Sequence, residues 1–184
     1  MTRKAKIIAT LGNSTEGLLE EIVARGADAV LIDTYYGSRE ECIDRINKIK
    51  ELREELDKNT AIIYDLDHIY AESKYKLIKI EEENVHFACQ NDVDFVACPF
   101  VSNLDEIRKV KSILQANGKK DIGLIVKVDC KEAYENIDEI IQFADSIMIN
   151  RDELGVEVPY QDLPNVQKEI IRKANDNTKE VILT

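Results

Sequence analysis

The sequence predicts an α/β fold in which seven parallel strands alternate with six helices. Short apolar runs recur roughly every 20 to 35 residues, and each has the composition of a strand that is buried on both faces. The segments between the runs carry apolar residues at i, i+3, i+4 and i+7, which is the pattern of amphipathic helices. This alternation is typical of successive right-handed βαβ units, which build a parallel sheet.

The boundaries of the elements follow from the apolar runs and from the residues that flank them. Asn117-Gly118 predicts the end of the fourth helix, because glycine is favoured just past a helix C-terminus. Pro159 and Pro164 bracket the start of the last helix, where proline is tolerated in a first turn. The predicted strands span residues 6–10, 29–32, 61–64, 94–97, 123–126, 146–149 and 180–183.

Two sheet layouts accommodate seven parallel strands. One is an open doubly wound sheet, and the other is a (β/α) barrel, which normally has eight strands. Periodicity does not decide between them, but no G-x-G-x-x-G or G-x-x-x-x-G-K-[ST] loop follows a strand, which favours the barrel. No linker or low-complexity segment divides the chain, so residues 1–184 are predicted to form a single domain.

The composition argues against several classes of partner. The 25 Lys and Arg residues against 36 Asp and Glu residues give a net charge of −11. Nucleic acids and anionic membranes repel such a chain, so we expect neither as a partner. No apolar stretch has the roughly 20 residues that span a bilayer. The four cysteines form no C-x-x-C pair and no secretory leader precedes the first strand, which predicts reduced thiols and a cytoplasmic protein.

Several strings resemble the catalytic barrel of pyruvate kinase along nearly the whole chain. Residues 2–12 are similar to that family's first strand, and Gly37-Ser38 with the helix after it resembles its His-Gly-Ser segment. Residues 93–101 are similar to its fourth strand, and the most specific block spans 136–159 and 166–173. The resemblance implies an incomplete TIM-type (β/α) barrel. It also implies phosphoryl transfer between phosphoenolpyruvate and ADP, with divalent and monovalent metal ions.

The resemblance assigns roles to residues at the ends of the predicted strands. Lys127 falls on the family's catalytic lysine, and Arg151 keeps the arginine of its Arg-Gly-Asp-Leu-Gly motif. Asp129 and Glu153 fall on the two carboxylates that bind the divalent metal, so the implied cofactor is Mg²⁺ or Mn²⁺. The expected ligand is a 2-oxo acid or a compound similar to phosphoenolpyruvate. The implied substrate-binding residues are Asp152 and Gly155.

Other positions of the family pattern are changed in this chain. The arginine that follows the family's second strand falls on Leu31, and Asp152 replaces the glycine of the Arg-Gly-Asp motif. The ligands of the monovalent cation fall on Asp33, Tyr35 and Asp65, so a potassium site is implied in weakened form. The lid domain that the family inserts after its third strand is absent. The sequence also ends before the family's eighth strand–helix unit.

These changes predict a catalytically impaired pseudoenzyme that binds a metal ion or a small anion. Two alternatives stay open. Lys127, Asp129 and Glu153 would suffice for a simpler metal-assisted enolate reaction on a 2-oxo acid, which needs no nucleotide. The second alternative is that the chain is one half of a split pyruvate kinase, which another polypeptide completes.

A barrel of seven strands leaves its first and seventh strands with one neighbour each. Exposed apolar edges promote aggregation, so we expect both edges to be covered. A homo-oligomer and a partner chain both fit this expectation, and the prevalence of symmetric self-association favours the homo-oligomer. An open or reclosed seven-stranded sheet is the third arrangement that fits.

Overall fold

A computed structural model describes residues 4–12, 14–34, 37–66, 82–99 and 104–184 of the chain. Its seven strands form one sheet in the order β1 to β7, and every neighbouring pair is parallel. The sheet curls into a half-barrel, which confirms the predicted incomplete (β/α) barrel. The strands are β1 (Ile8–Leu11), β2 (Ala29–Ile32), β3 (Ala61–Asp65), β4 (Phe95–Cys98), β5 (Gly123–Val128), β6 (Ser146–Ile149) and β7 (Glu180–Leu183).

Two of the connections between strands contain two α-helices instead of the one predicted. In the last connection Val158 is extended (φ −99°, ψ 132°), because a residue before proline avoids the helical conformation. In the connection before it, Asn136 ends one helix and caps the next. A 3₁₀ turn at Glu16–Leu18 follows β1. The described α-helices are α1 (Leu19–Ala24), α2 (Arg39–Leu56), α3 (Glu82–Gln90), α4 (Leu104–Ala116), α5 (Lys131–Glu135), α6 (Ile137–Phe143), α7 (Arg151–Glu157) and α8 (Leu163–Asp176).

Alternate residues of each strand point to opposite faces of the sheet. The outer face packs against the helices in the larger apolar core, to which β2 contributes Val30 and Ile32. The inner face forms a smaller apolar cluster, to which β2 contributes Ala29 and Leu31. The same alternation assigns a face to the polar residues at the strand ends. The inner cluster consists of Ala29, Leu31, Ile63, Ala97, Ile125 and Met148.

The two end strands are less buried than the five strands between them. No residue of β7 is buried, and only Leu11 is buried in β1. The prediction that every strand is buried on both faces was wrong for these two, because each has a single neighbour in the described sheet. The bounds predicted for β2, β6 and β7 are confirmed, and the other strands end within two residues of their predicted bounds.

The cysteines and helices also bear on the earlier expectations. Cys42, Cys89, Cys98 and Cys130 are all buried free thiols. Within the described ranges, no helix has both the length and the apolar character needed to cross a membrane.

Candidate functional site

A buried ion pair lies at the carboxyl ends of the central strands. The Lys127 Nζ atom donates to the Asp65 Oδ2 atom at 2.6 Å. Their side chains are only 6% and 7% exposed, respectively. Asp65 is the last residue of β3, and Lys127 is the second-to-last residue of β5. Two residues that the sequence placed at different sites, one catalytic and one metal-binding, are therefore in direct contact.

The residue between the two partners explains how they meet across a strand. Asp65 lies opposite Ala97 of β4, and Ala97 lies opposite Ile125 of β5. Lys127 is the next inward-facing residue of β5 after Ile125, so its side chain reaches Asp65 across the inner face of β4, to which Ala97 contributes a small residue. A methyl group at this position leaves space for the lysine side chain. A larger residue would fill that space.

Because this pair is buried, each charge is stabilised mainly by the other. Taking two charges out of water is costly, and the attraction between them offsets that cost only when the geometry is good. A distance of 2.6 Å is characteristic of a charge-assisted hydrogen bond. Removing one partner would leave the other as an uncompensated buried charge.

Asp129 extends the charged group beyond the end of β5. It continues the inward-facing series after Lys127 and is 4% exposed. Burial raises the pKa of the Cys98 thiol, and the negative charge of Asp129 raises it further. Asp65 acts in the same direction, whereas the positive charge of Lys127 lowers this pKa. Cys98, which packs in the larger apolar core, is thus held as a neutral thiol. This environment opposes a role as a nucleophile.

The helix that follows β6 carries Arg151, Asp152 and Glu153 in its first turn. Arg151 and Asp152 are exposed, and Glu153 is half-buried. The Arg151 Nε atom donates to the Thr184 carbonyl at 3.4 Å, so the side chain leans toward the end of β7. The carboxylates of Asp152 and Glu153 complement the positive end of the helix dipole and oppose an anion there.

Gly155 has a structural reason to be a glycine. A Cβ atom at this position would lie 3.0 Å from the Leu163 Cδ1 atom, so the glycine allows α7 and α8 to pack closely. Its role in substrate binding stays a prediction.

The structure describes two of the three residues expected at the potassium site, and this site stays a prediction. Asp33 is half-buried just after β2, whereas Asp65 is engaged with Lys127. Tyr35 lies outside the described residues. Leu31, at the position of the family's arginine, is 8% exposed and packs in the inner apolar cluster. That position of the inner face is therefore apolar.

The donor set restricts what metal the site would hold. Among the described residues, no group of three or more His, Cys, Asp or Glu side chains is arranged to hold a metal ion. Asp129 and Glu153 offer at most two carboxylates. Mg²⁺ is commonly held by one or two carboxylates, with water and substrate oxygens completing its octahedral shell. The described residues therefore provide no dedicated cage, and the donor type of Asp129 and Glu153 is one that Mg²⁺ or Mn²⁺ accepts.

Sequence reasoning missed a second buried cation near the ends of β1 and β2. The charge of Arg45 favours a solvent-exposed position, but Arg45 is 4% exposed and its Nε atom donates to the Glu16 carboxylate at 3.0 Å. A Cβ atom at Gly37 would lie 3.1 Å from the Arg45 Nη1 atom, so the guanidinium packs under the turn after β2. The available signal was the helical spacing, since Arg45 lies beside Cys42, Ile46 and Ile49 on the buried face of α2.

Comparisons with known proteins point to one family. A family model described as "Pyruvate kinase, barrel domain" matches residues 71–184. The pyruvate kinase of Clostridium perfringens is 39% identical over 102 residues, which cover 55% of this chain and 22% of that protein. The pyruvate kinase of Sporosarcina psychrophila is 35% identical over 102 residues, which cover 55% of this chain and 17% of that protein.

A third relative matches almost the whole chain. The pyruvate kinase of Staphylococcus aureus is 23% identical over 274 residues, which cover 98% of this chain and 47% of that protein. The chain thus spans about half the length of this relative. The alignment is longer than the 184-residue chain, so at least 90 of its positions belong to the relative alone.

Proposed function

This chain belongs to the pyruvate kinase family of barrel domains, and from that premise we propose that it is a catalytically impaired member. Its site would bind a divalent cation together with a small carboxylate or phosphate compound, such as a 2-oxo acid. The carrying observation is the buried Lys127–Asp65 pair, with Asp129 as the next inward-facing residue. In TIM-type barrels, ligand sites lie at this end of the strands.

Asp129 and Glu153 are the residues that would hold the cation. When bound, a divalent cation would neutralise negative charge on the oxygens of the ligand. Lys127 would supply a second positive charge to the same ligand, after exchanging part of its contact with Asp65. The buried environment would strengthen these interactions, because charges attract more strongly where water is excluded.

Two features support the proposed loss of phosphoryl transfer. Leu31 provides no charge where the family pattern has an arginine, and losing a positioned arginine commonly costs on the order of 10³-fold or more in rate. Asp152 adds a negative charge to the first turn of α7. At about 4 Å, its repulsion of a ligand carboxylate would cost roughly 1 kcal/mol in water and about 4 kcal/mol at an effective dielectric constant near 20.

The Lys127–Asp65 pair also bears on the enolate alternative. An amine must release its proton to act as a base, and the contact with a carboxylate at 2.6 Å opposes that release. The arrangement therefore favours ligand binding over proton abstraction.

Thermal unfolding with added ligands tests the binding proposal. Mn²⁺ with pyruvate or phosphoenolpyruvate should stabilise the chain, by about 2.7 kcal/mol when the ligand is present at 100 times its Kd. Asp129→Asn should abolish the Mn²⁺-dependent part of the shift. Asp176→Asn, which changes an exposed carboxylate on α8, should retain it. The absence of any shift with these ligands in the wild-type chain would refute the binding proposal.

A coupled assay tests the proposed impairment separately. We expect no ATP formation from phosphoenolpyruvate and ADP by the purified chain. Activity that Lys127→Ala abolishes would show that phosphoryl transfer is retained and would overturn this part of the proposal.

A further inference from the structure

One small residue of the inner face lies on the strand between the two partners of the buried ion pair. Ala97 of β4 is opposite Asp65 of β3 on one side and opposite Ile125 of β5 on the other. Its side chain is fully buried. Among the four residues that β3 to β6 contribute to the inner apolar cluster, Ala97 is the smallest, since the other three are isoleucine or methionine.

The ion pair bridges two strand spacings. Neighbouring strands lie about 4.8 Å apart, so the backbones of β3 and β5 are about 10 Å apart. The Lys127 Nζ atom nevertheless lies 2.6 Å from the Asp65 Oδ2 atom. An aspartate side chain is short, so the four-carbon stem of the lysine covers most of the distance. The stem therefore leans across the inner face of β4, where the small size of residue 97 leaves it space.

The lysine depends on its surroundings for its position. Its stem is flexible, and its ammonium group is a point charge that imposes no fixed bonding geometry. The Lys127 side chain is only 6% exposed, so the packing around the stem restricts where the ammonium group can lie. The size of a residue that the stem crosses therefore bears directly on the position of the charge.

The other inner-face neighbours of Ala97 are stiff. Ile63 and Ile125 stand one inward-facing position before Asp65 and Lys127, and each is 2% exposed. A β-branched side chain has little freedom at χ1, so these two isoleucines have little room to yield to a larger residue 97. The lysine stem is the flexible neighbour, and it is the one that a larger residue 97 would displace.

We propose that Ala97 is a positioning residue of the candidate site. The space beside its methyl group is where the Lys127 ammonium rests on Asp65 and from which it moves to an anionic ligand. The second half of this statement rests on the proposed function, because only a bound anion offers the lysine another partner. The first half concerns the ion pair alone and is tested without a ligand.

A cycle of variants at positions 97 and 127 tests the first half. Ala97→Val adds two methyl groups to the inner face of β4. If they keep the lysine away, Asp65 has already lost its partner, and a further Lys127→Ala change removes little more. In urea denaturation, Lys127→Ala should raise the unfolding equilibrium constant on the order of 10²-fold in the wild-type chain. In the Ala97→Val chain it should raise that constant by less than about tenfold.

The matched control changes another alanine of the same inner cluster. Ala29 lies at the start of β2, far from the carboxyl ends of the strands. In the Ala29→Val chain, Lys127→Ala should cost as much stability as in the wild type, because effects at distant sites add. Equal costs of Lys127→Ala in the wild-type and Ala97→Val chains would overturn the proposal, since the valine would then act through packing alone.

An Ala97→Val chain that does not fold also gives a decision. The chain that combines Ala97→Val with Lys127→Ala should then fold, as checked by circular dichroism, because the lysine stem no longer occupies the space beside residue 97. Failure of both chains to fold would show that valine is excluded from position 97 whichever residue stands at 127. That result would overturn the proposal.

Ligand titrations test the second half. In isothermal titration calorimetry, the Ala97→Val chain should bind Mn²⁺ as the wild type does, because Asp129 and Glu153 are unchanged. It should bind phosphoenolpyruvate at least about tenfold more weakly, because the charged hydrogen bond from Lys127 is lost. Equal binding of phosphoenolpyruvate by the two chains would overturn this half. A wild-type chain that binds neither Mn²⁺ nor phosphoenolpyruvate would refute the proposed function instead, and the cycle at positions 97 and 127 would still decide the role of Ala97 in the ion pair.

Discussion

Carboxylates occur at both ends of the strands, but their partners differ. At the amino end, an aspartate stands immediately before β2, β4 and β6, and its carboxylate accepts the backbone N–H group of the residue opposite it on the preceding strand. We call Asp28, Asp94 and Asp145 the strand-pairing aspartates. At the carboxyl end, Asp65 bonds to the buried side-chain cation of Lys127, and Asp129 is a second buried carboxylate two residues after that lysine. A backbone partner is fixed by the sheet, whereas a lysine side chain can exchange partners when a ligand enters. The same residue type therefore serves architecture at one end and a candidate site at the other.

Breaking the buried pair should have the largest effect on stability. Lys127→Ala leaves Asp65 as a buried charge, and we expect it to lower the free energy of unfolding by about 3–5 kcal/mol in urea denaturation. The double variant Lys127→Met with Asp65→Leu removes both charges and should regain most of the loss. A single variant that costs less than about 1 kcal/mol, or a double variant as unstable as the single, would contradict this reading of the carboxyl end.

The strand-pairing aspartates should have intermediate effects that differ among themselves. Asp94 accepts from both Ile62 N–H and Arg53, so Asp94→Ala should cost about 1–3 kcal/mol in the same measurement. Asp145→Ala is the matched control, since its described hydrogen bond is to Leu124 N–H alone, and should cost about 1 kcal/mol. Equal losses for the two variants would mean that Arg53 adds nothing to the backbone contact.

The smallest expected effect is a pH dependence at the Glu16–Arg45 pair. The hydrogen bond from Arg45 lowers the pKa of Glu16 below its usual 4.5. The stabilisation is therefore fully present above pH 4.5 and is lost as the pH falls through the lowered pKa. Glu16→Gln should flatten the acid side of a plot of stability against pH, whereas Glu20→Gln, on an exposed position of α1, should leave it unchanged. An unchanged acid limb in Glu16→Gln would show that the pair does not contribute.

The strands of the sheet could be predicted from the sequence because the spacing and the composition of apolar residues determine strand formation within each segment. Each of the seven apolar runs became a strand, and the alternation of faces placed Lys127 and Asp129 on the inner face at the strand ends. The contact between Lys127 and Asp65 could not be predicted in this way. It depends on two strands that are not adjacent and on the small side chain of Ala97 between them.

Other differences arise from tertiary context. Cys42, Ile46 and Ile49 indicate the buried face of α2, whereas the charge of Arg45 favours solvent. Its burial depends on the carboxylate of Glu16, which comes from a distant part of the sequence. The split of the last connection into α7 and α8 was signalled by Pro159, which was read as the start of a helix rather than as a break between two. The roles of Glu153, Asp152, Gly155, Asp33 and Arg151 stay predictions.

The strand-pairing aspartates also bear on the order in which the chain folds. Their hydrogen bonds join residues only 21, 32 and 21 positions apart, so each forms within one strand–helix–strand unit. Contacts of short sequence separation form early and cost little loop entropy. The sheet is thus composed of three locally joined pairs, β1 with β2, β3 with β4 and β5 with β6. β7 belongs to none of these three pairs, and it should be the last strand to gain protection during refolding.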